Sequence, residues 1–167
     1  MAVLSNHEIC VLQKDPRTGC IPAGVEWMLK WRGAKDVIFS DFQERFNLES
    51  QGIEGNSFYS VSRAVSSAYP DFKFQDRPFS TGKEKFAFVE GLIAKDQPCL
   101  LSLTKSPAGP CHIVSLVEID RDIVRVLWLN DEDIEKQAIS FQRCHLEYIH
   151  DNWPGGKDVL FFAGTAG

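Results

Sequence analysis

The chain predicts an α+β fold in which helices come first and mostly antiparallel strands follow. Apolar residues in the first half recur at helical spacing. The second half instead holds short runs of β-branched and aliphatic residues separated by turn signals. Pro98 marks the change from one pattern to the other.

Along the chain, Glu8 to Gln13 carries Ile9, Val11 and Leu12 and reads as either a short strand or an ordered arm. From Cys20, the residues Ile21, Val25, Met28 and Leu29 mark a helix. Pro22 is tolerated in its first turn, and Gly33 ends the run. A second helical pattern spans Asp36 to Leu48 through Ile38, Phe39, Phe42 and Phe46, and a third spans Ser57 to Tyr69 through Phe58, Val61 and Val65. Gln51 to Asn56 joins them as a turn-rich connection. Phe72-Lys73-Phe74 alternates as a short strand would, and Thr81 opens a helix over Lys83 to Lys95. Strands are expected at Cys99 to Leu103, His112 to Ile119, Ile123 to Leu129 and Val159 to Ala163. Phe141 to Trp153 reads as a helical segment packed on the sheet.

The length of 167 residues fits a single domain, 1–167, with a core of useful size. Apolar residues at 44% and charged residues at 25% are those of an ordinary globular protein and argue against long disordered tracts. The net charge of -5 leaves no electrostatic footprint for nucleic acid or anionic lipid, so neither is expected as a partner. Met1 to Cys10 lacks the basic and apolar segments of a secretory signal, and no apolar run approaches the roughly 20 residues that span a bilayer. With five cysteines, an odd count, the expectation is reduced thiols in a cytoplasmic setting rather than a disulfide framework.

Cys20 is the residue whose placement suggests chemistry. It lies where the turn Lys14-Asp15-Pro16-Arg17-Thr18-Gly19 gives way to a helix. Unpaired N–H groups and the macrodipole at a helix start favour a thiolate, which makes a nucleophile. A nucleophile needs a base, and His112 opens a strand. The turn Asp120-Arg121-Asp122 folds that strand back on Ile123 to Leu129. A three-residue loop would place Asn130 opposite His112, whereas a four-residue loop would place Asp131 there and pair Glu118 with Arg125. Either partner could orient the imidazole. Gln13, upstream of the turn, could donate to a developing oxyanion together with the Cys20 backbone N–H.

In order and spacing these residues resemble papain-like cysteine peptidases of the bacteriocin-processing, double-glycine leader type and their stand-alone relatives. There a Gln is followed by a turn and by Gly-Cys-Gly-Pro-Ala opening a helix; here Gly19-Cys20-Ile21-Pro22-Ala23 keeps four of the five residues. Lys83 to Lys95, Pro98, His112 and Leu127-Trp128-Leu129-Asn130-Asp131 follow in the family's order. The resemblance implies a papain-like cysteine proteinase fold and cleavage of peptide or isopeptide bonds in a peptide or protein substrate through an acyl-enzyme. It implies Cys20 as nucleophile, His112 as general base and acid, Asp131 as orienting residue, with Asn130 an alternative, and Gln13 as oxyanion donor, and it calls for no cofactor. Ile21 replaces a glycine, an exchange expected to crowd the substrate cleft, and Glu132 replaces a proline. A transglutaminase-like acyl-transferase and a catalytically silent papain-like binding module are the competing readings.

The remaining candidates have simpler explanations. Cys99 and Cys111 could face each other on adjacent strands, but as core filling. Cys144, His145 and His150 lack the paired spacing of a zinc site, so no metal is expected. Trp27 and Trp31, at helical spacing, are expected in the core or as a cleft wall. Thr104 to Pro110 is either an ordinary loop or a flap.

Overall fold

Cys20–Trp31 (α1) carries its apolar positions at helical spacing, and every residue from Ile21 to Leu29 is buried, so the helix is enclosed on all sides along that stretch. It closes as expected at Gly33, where the Gly33 and Ala34 N–H groups donate back to the Lys30 and Leu29 carbonyls, both at 3.0 Å. The computed structural model describes residues 1–34, 41–104, 111–130 and 134–164. Within them α1 is followed by Phe42–Phe46 (α2), Phe58–Ala68 (α3) and Gly82–Ala94 (α4). Two of these starts are capped by side chains. Ser57 and Ser60 form a reciprocal capping box at α3, and the Thr81 hydroxyl accepts from the Glu84 N–H at 3.2 Å at α4.

The second helical pattern is realised only in part. α2 stops at Phe46, and residues 36–40 lie outside the described residues. Asn47 explains the stop: its side-chain oxygen accepts from the Ser50 N–H at 3.2 Å, and the Ser50 hydroxyl donates to its carbonyl at 3.0 Å. Such local bonds compete with helix continuation.

The strands form one antiparallel sheet: Phe74–Pro78 (β2), Asp158–Phe162 (β7), Cys99–Thr104 (β3), Cys111–Ile119 (β4), Ile123–Leu127 (β5) and Ala138–Gln142 (β6), in that spatial order. Ala2–Val3 (β1) pairs with Ile119 and Glu118 at the end of β4. The expected strand at Phe72 to Phe74 is displaced to Phe74–Pro78, a mostly exposed edge strand ending on a proline. Glu8 to Gln13 is an arm, not a strand. The helix expected over Phe141 to Trp153 forms as Arg143–Asn152 (α6); its first two positions instead end β6, which was not expected, and the short Ile134–Gln137 (α5) lies ahead of that strand. α6 packs against α4, and the buried apolar side chains of helices and sheet form one continuous cluster. Among the described residues no helix is long and apolar enough to cross a membrane.

The β4–β5 hairpin combines both of its expected registers. Near the turn Glu118 pairs with Arg125, and their charged groups lie 3.8 Å apart. A β-bulge between Leu116 and Glu118 then shifts the pairing by one residue, so that Ser115 pairs with Leu127. Continued past that last pair, the shifted register counts Asn130 level with His112.

Lys85 is the most unusual core residue, at 1% exposure. Its Nζ donates to the Ser102 carbonyl at 2.6 Å and the Gly156 carbonyl at 2.8 Å, tying α4 to β3 and to the loop before β7. Burial lowers its pKa from 10.5 to about 7, with Asp158 opposing and Lys157 adding to the shift. The unfolded chain therefore binds more protons than the folded one between these two values, and stability rises with pH across that window. Urea unfolding across it should show a Lys85→Met variant with a slope flatter than wild type by about 1 kcal/mol per pH unit. Parallel slopes would mean that Lys85 does not titrate on unfolding.

Candidate active site

The turn ahead of α1 is built by its own polar side chains. Asp15 Oδ1 accepts from the backbone N–H groups of Arg17 at 2.9 Å and Thr18 at 3.2 Å, while Oδ2 accepts from the Thr18 hydroxyl at 3.0 Å. Those donors, the Arg17 N–H foremost, hold the Asp15 carboxyl below its usual range. The Gly19 N–H donates to the Asp15 carbonyl at 3.0 Å. A Cβ on Gly19 would stand 2.7 Å from that same oxygen, so only glycine closes this turn without displacement. Cys20 then becomes the first residue of α1, half-buried.

Burial pushes the Cys20 thiol above its ordinary value. The backbone N–H groups of Ile21, of Cys20 itself and of Ile113 pull the other way but by less. This corrects the expectation of a standing thiolate. Desolvation outweighs the N–H groups at the helix start.

The Ile113 contact places β4 against the start of α1. A cleft of about 500 Å³ opens there, and its walls include Gln13, Arg17, Cys20, His112, Trp128, Asn130 and Ile139. The structure thus brings Gln13, Cys20, His112 and Asn130 to one cleft from four separate parts of the chain. Asp131, the other candidate partner of His112, lies outside the described residues. The Trp128 ring packs on the His112 ring with centroids 4.6 Å apart and planes inclined by 46°. Gln13 is tied down at both ends of the residue: its backbone N–H donates to the Leu129 carbonyl at 2.7 Å and its Nε2 to the Asp15 carbonyl at 2.6 Å.

Ile21 does not crowd the cleft. It is 7% exposed, belongs to the hydrophobic core and lies outside the cleft wall. Sequence reasoning also missed Trp128, Arg17 and Ile139 as cleft residues. Arg17 could have been found from its position in the nucleophile turn, whereas Trp128 depends on a register shift that the sequence does not announce. Ile139 carried no signal, because β6 itself was not foreseen.

The other candidates fall elsewhere. Cys99 pairs with Phe161 and Cys111 with Thr104, so these two cysteines do not face each other, and burial drives the Cys99 thiol far up. Cys111, whose Sγ accepts from the Gly156 N–H at 3.1 Å, reaches the cleft edge. Trp27 is fully buried and donates to the Ile9 carbonyl at 3.2 Å, and Trp31 donates to the Ser5 carbonyl, so both hold the N-terminal arm. Among the described residues no group of three or more His, Cys, Asp or Glu could hold a metal ion. Residues 105–110 of the loop before β4 lie outside the described residues.

This layout, a helix carrying a cysteine at its start and packed on an antiparallel sheet that carries a histidine, is the papain-like peptidase fold. A putative C39-like peptidase from Bacillus anthracis superimposes with a TM-score of 0.61 at 14% identity, covering 96% of this chain and 97% of that one. The peptidase domain of Streptococcus ComA, a bifunctional ABC transporter of a quorum-sensing pathway, gives 0.58 at 13% identity over 92% and 97%. A double-glycine-motif protease from an AMS/PCAT transporter, in complex with its leader peptide, gives 0.55 at 12% identity over 97% of both chains. No protein-family model and no curated protein sequence matches the chain.

The geometry of the turn is testable through Gly19. Gly19→Ala should destabilise the fold by about 1–3 kcal/mol, the usual range for forcing an atom into a filled space. Denaturant titration would measure it, and an unchanged midpoint would contradict the close approach to Asp15.

Proposed function

We propose that the chain works as a single-domain cysteine hydrolase that cleaves a peptide or isopeptide bond through an acyl-enzyme on Cys20. The observation that carries this reading is the meeting of Cys20 and His112 at one cleft, with the Ile113 N–H against the thiol. The shared fold with peptidase domains, one of them bound to a leader peptide, supports a peptide as substrate.

In this reading His112 removes the Cys20 proton as substrate binds, which suits a thiol that burial keeps protonated at rest. The thiolate attacks the carbonyl carbon. The oxygen of the tetrahedral intermediate accepts from the Cys20 N–H and from Gln13 Nε2, which has a second hydrogen beyond the one given to Asp15. Collapse expels the amine, which takes the proton from His112, and leaves a thioester on Cys20. His112 then deprotonates a water that attacks the thioester, releasing the acid and restoring the thiol. Asn130 or Asp131 orients the imidazole throughout, and Trp128 lies against its face.

Turnover of a peptide substrate should be lost in Cys20→Ala and fall by several orders of magnitude in His112→Ala. Gln13→Ala should lower kcat by about 10²- to 10³-fold, the usual cost of one oxyanion donor. Turnover that survives Cys20→Ala would sink the reading. Inclusion of a primary amine separates the two fates of the thioester, since only an acyl-transferase would yield the amide as main product.

A further inference from the structure

The nucleophile turn is gripped from behind by a side chain that the proposed reaction does not touch. Asn56 sits in the connection between α2 and α3, outside the cleft wall. Its Nδ2 donates to the Thr18 carbonyl at 2.7 Å and to Asn47 Oδ1 at 2.8 Å. Its Oδ1 accepts from the backbone N–H groups of Leu48 at 3.0 Å and Glu49 at 3.2 Å. All four hydrogen-bonding positions of the amide are thereby used. Asn47, 3% exposed, adds a second hold by donating from Nδ2 to the Thr18 hydroxyl at 2.8 Å.

Thr18 lies two residues ahead of Cys20, and its carbonyl belongs to the peptide plane that it shares with Gly19. Fixing that oxygen aims the Gly19 N–H at the Asp15 carbonyl, 3.0 Å away. The next plane carries the Cys20 N–H. Gly19 has no Cβ to restrict rotation between the two planes; its N–H bond to Asp15 and its carbonyl bond from the Ala23 N–H, both 3.0 Å, hold them from within, and the Thr18 carbonyl takes its partner from outside the turn. Asn56 is that partner, and the 38-residue separation between Asn56 and Thr18 makes the support tertiary rather than local.

We propose that Asn56 is a positioning residue that holds the Cys20 N–H and thiol in the geometry for attack. The inference rests on Cys20 being the nucleophile. Asn56→Asp keeps the acceptor for Leu48 and Glu49 but removes both donors. It should lower kcat, and the rate at which iodoacetamide alkylates Cys20, by about tenfold or more, with KM changed less than about twofold. The deficit relative to wild type should narrow as pH falls toward about 4, where a protonated carboxyl can again donate to the Thr18 carbonyl. Gln51→Ala is the control, because Gln51 Nε2 donates to the Glu44 and Arg45 carbonyls of α2 and to the Asn47 carbonyl just after it, and not to the nucleophile turn. It should lower stability and leave both rates unchanged.

A folded Asn56→Asp with wild-type rates, or an equal loss in Gln51→Ala, would overturn the assignment. If Asn56→Asp does not fold, the wild-type protein decides by NMR. Alkylation of Cys20 should then shift the Asn56 side-chain amide signals and leave those of Gln51 in place, and unmoved Asn56 signals would count against the proposal. Peptide turnover that survives Cys20→Ala would defeat the nucleophile reading itself, and the inference with it.

Discussion

The site depends on a short set of hydrogen bonds that stitch the N-terminal arm to the far end of the hairpin. The Gln13 N–H donates to the Leu129 carbonyl at 2.7 Å, and Gln137 Nε2 donates to the Val11 carbonyl at 2.9 Å. Gln137 is fully buried, and its own carbonyl accepts from the Trp128 N–H at 2.8 Å. These bonds hold the arm leading into the nucleophile turn against the segment after β5 that carries Trp128 and Asn130. Gln43 adds a third attachment, accepting from the Lys14 N–H at 2.9 Å and donating to the Leu12 carbonyl at 2.8 Å. Buried polar side chains of this kind are costly to leave unpaired, so each amide fixes the backbone it bonds.

The cleft opens at this seam because the groups that meet there come from opposite halves of the chain. α1 delivers Cys20 from the helical half, and β4 delivers His112 from the sheet. The thiol gains N–H donors from both halves, its own helix start and Ile113, yet burial still outweighs them. In the proposed reaction the histidine takes the proton that burial holds on the thiol, so the two groups would work as one unit.

Much of this was legible in the sequence, and the gaps have identifiable causes. α1, α3 and α4 were readable because each carries an apolar face and a boundary residue: Gly33, Ser57 and Thr81. β3, β4, β5 and β7 were readable as β-branched runs. The hairpin left Asn130 and Asp131 in competition because a bulge, which has no signature in Leu116-Val117-Glu118, lets one hairpin hold both registers. β6 was hidden because Ala138 to Gln142 merges with the helix that follows it. Ile21 was misjudged for a different reason. Its position beside Cys20 suggested the cleft, but successive helical residues point about 100° apart, and Ile21 turns into the core. The Asn and Gln network around residues 43–56 was invisible, since amide side chains in turn-rich segments look alike until tertiary contacts select them.

The central claim is that Cys20 and His112 act together across the seam, and one labelling experiment tests it most directly. Cys10, Cys111 and Cys144 are all exposed, whereas Cys20 is half-buried, so indiscriminate thiol chemistry would favour the other three. Treatment with a peptide bearing a thiol-reactive carbonyl electrophile, followed by mass mapping, should yield a single adduct on Cys20 that disappears in His112→Ala. Adducts spread over the exposed cysteines, or labelling of Cys20 that is indifferent to His112, would contradict the account.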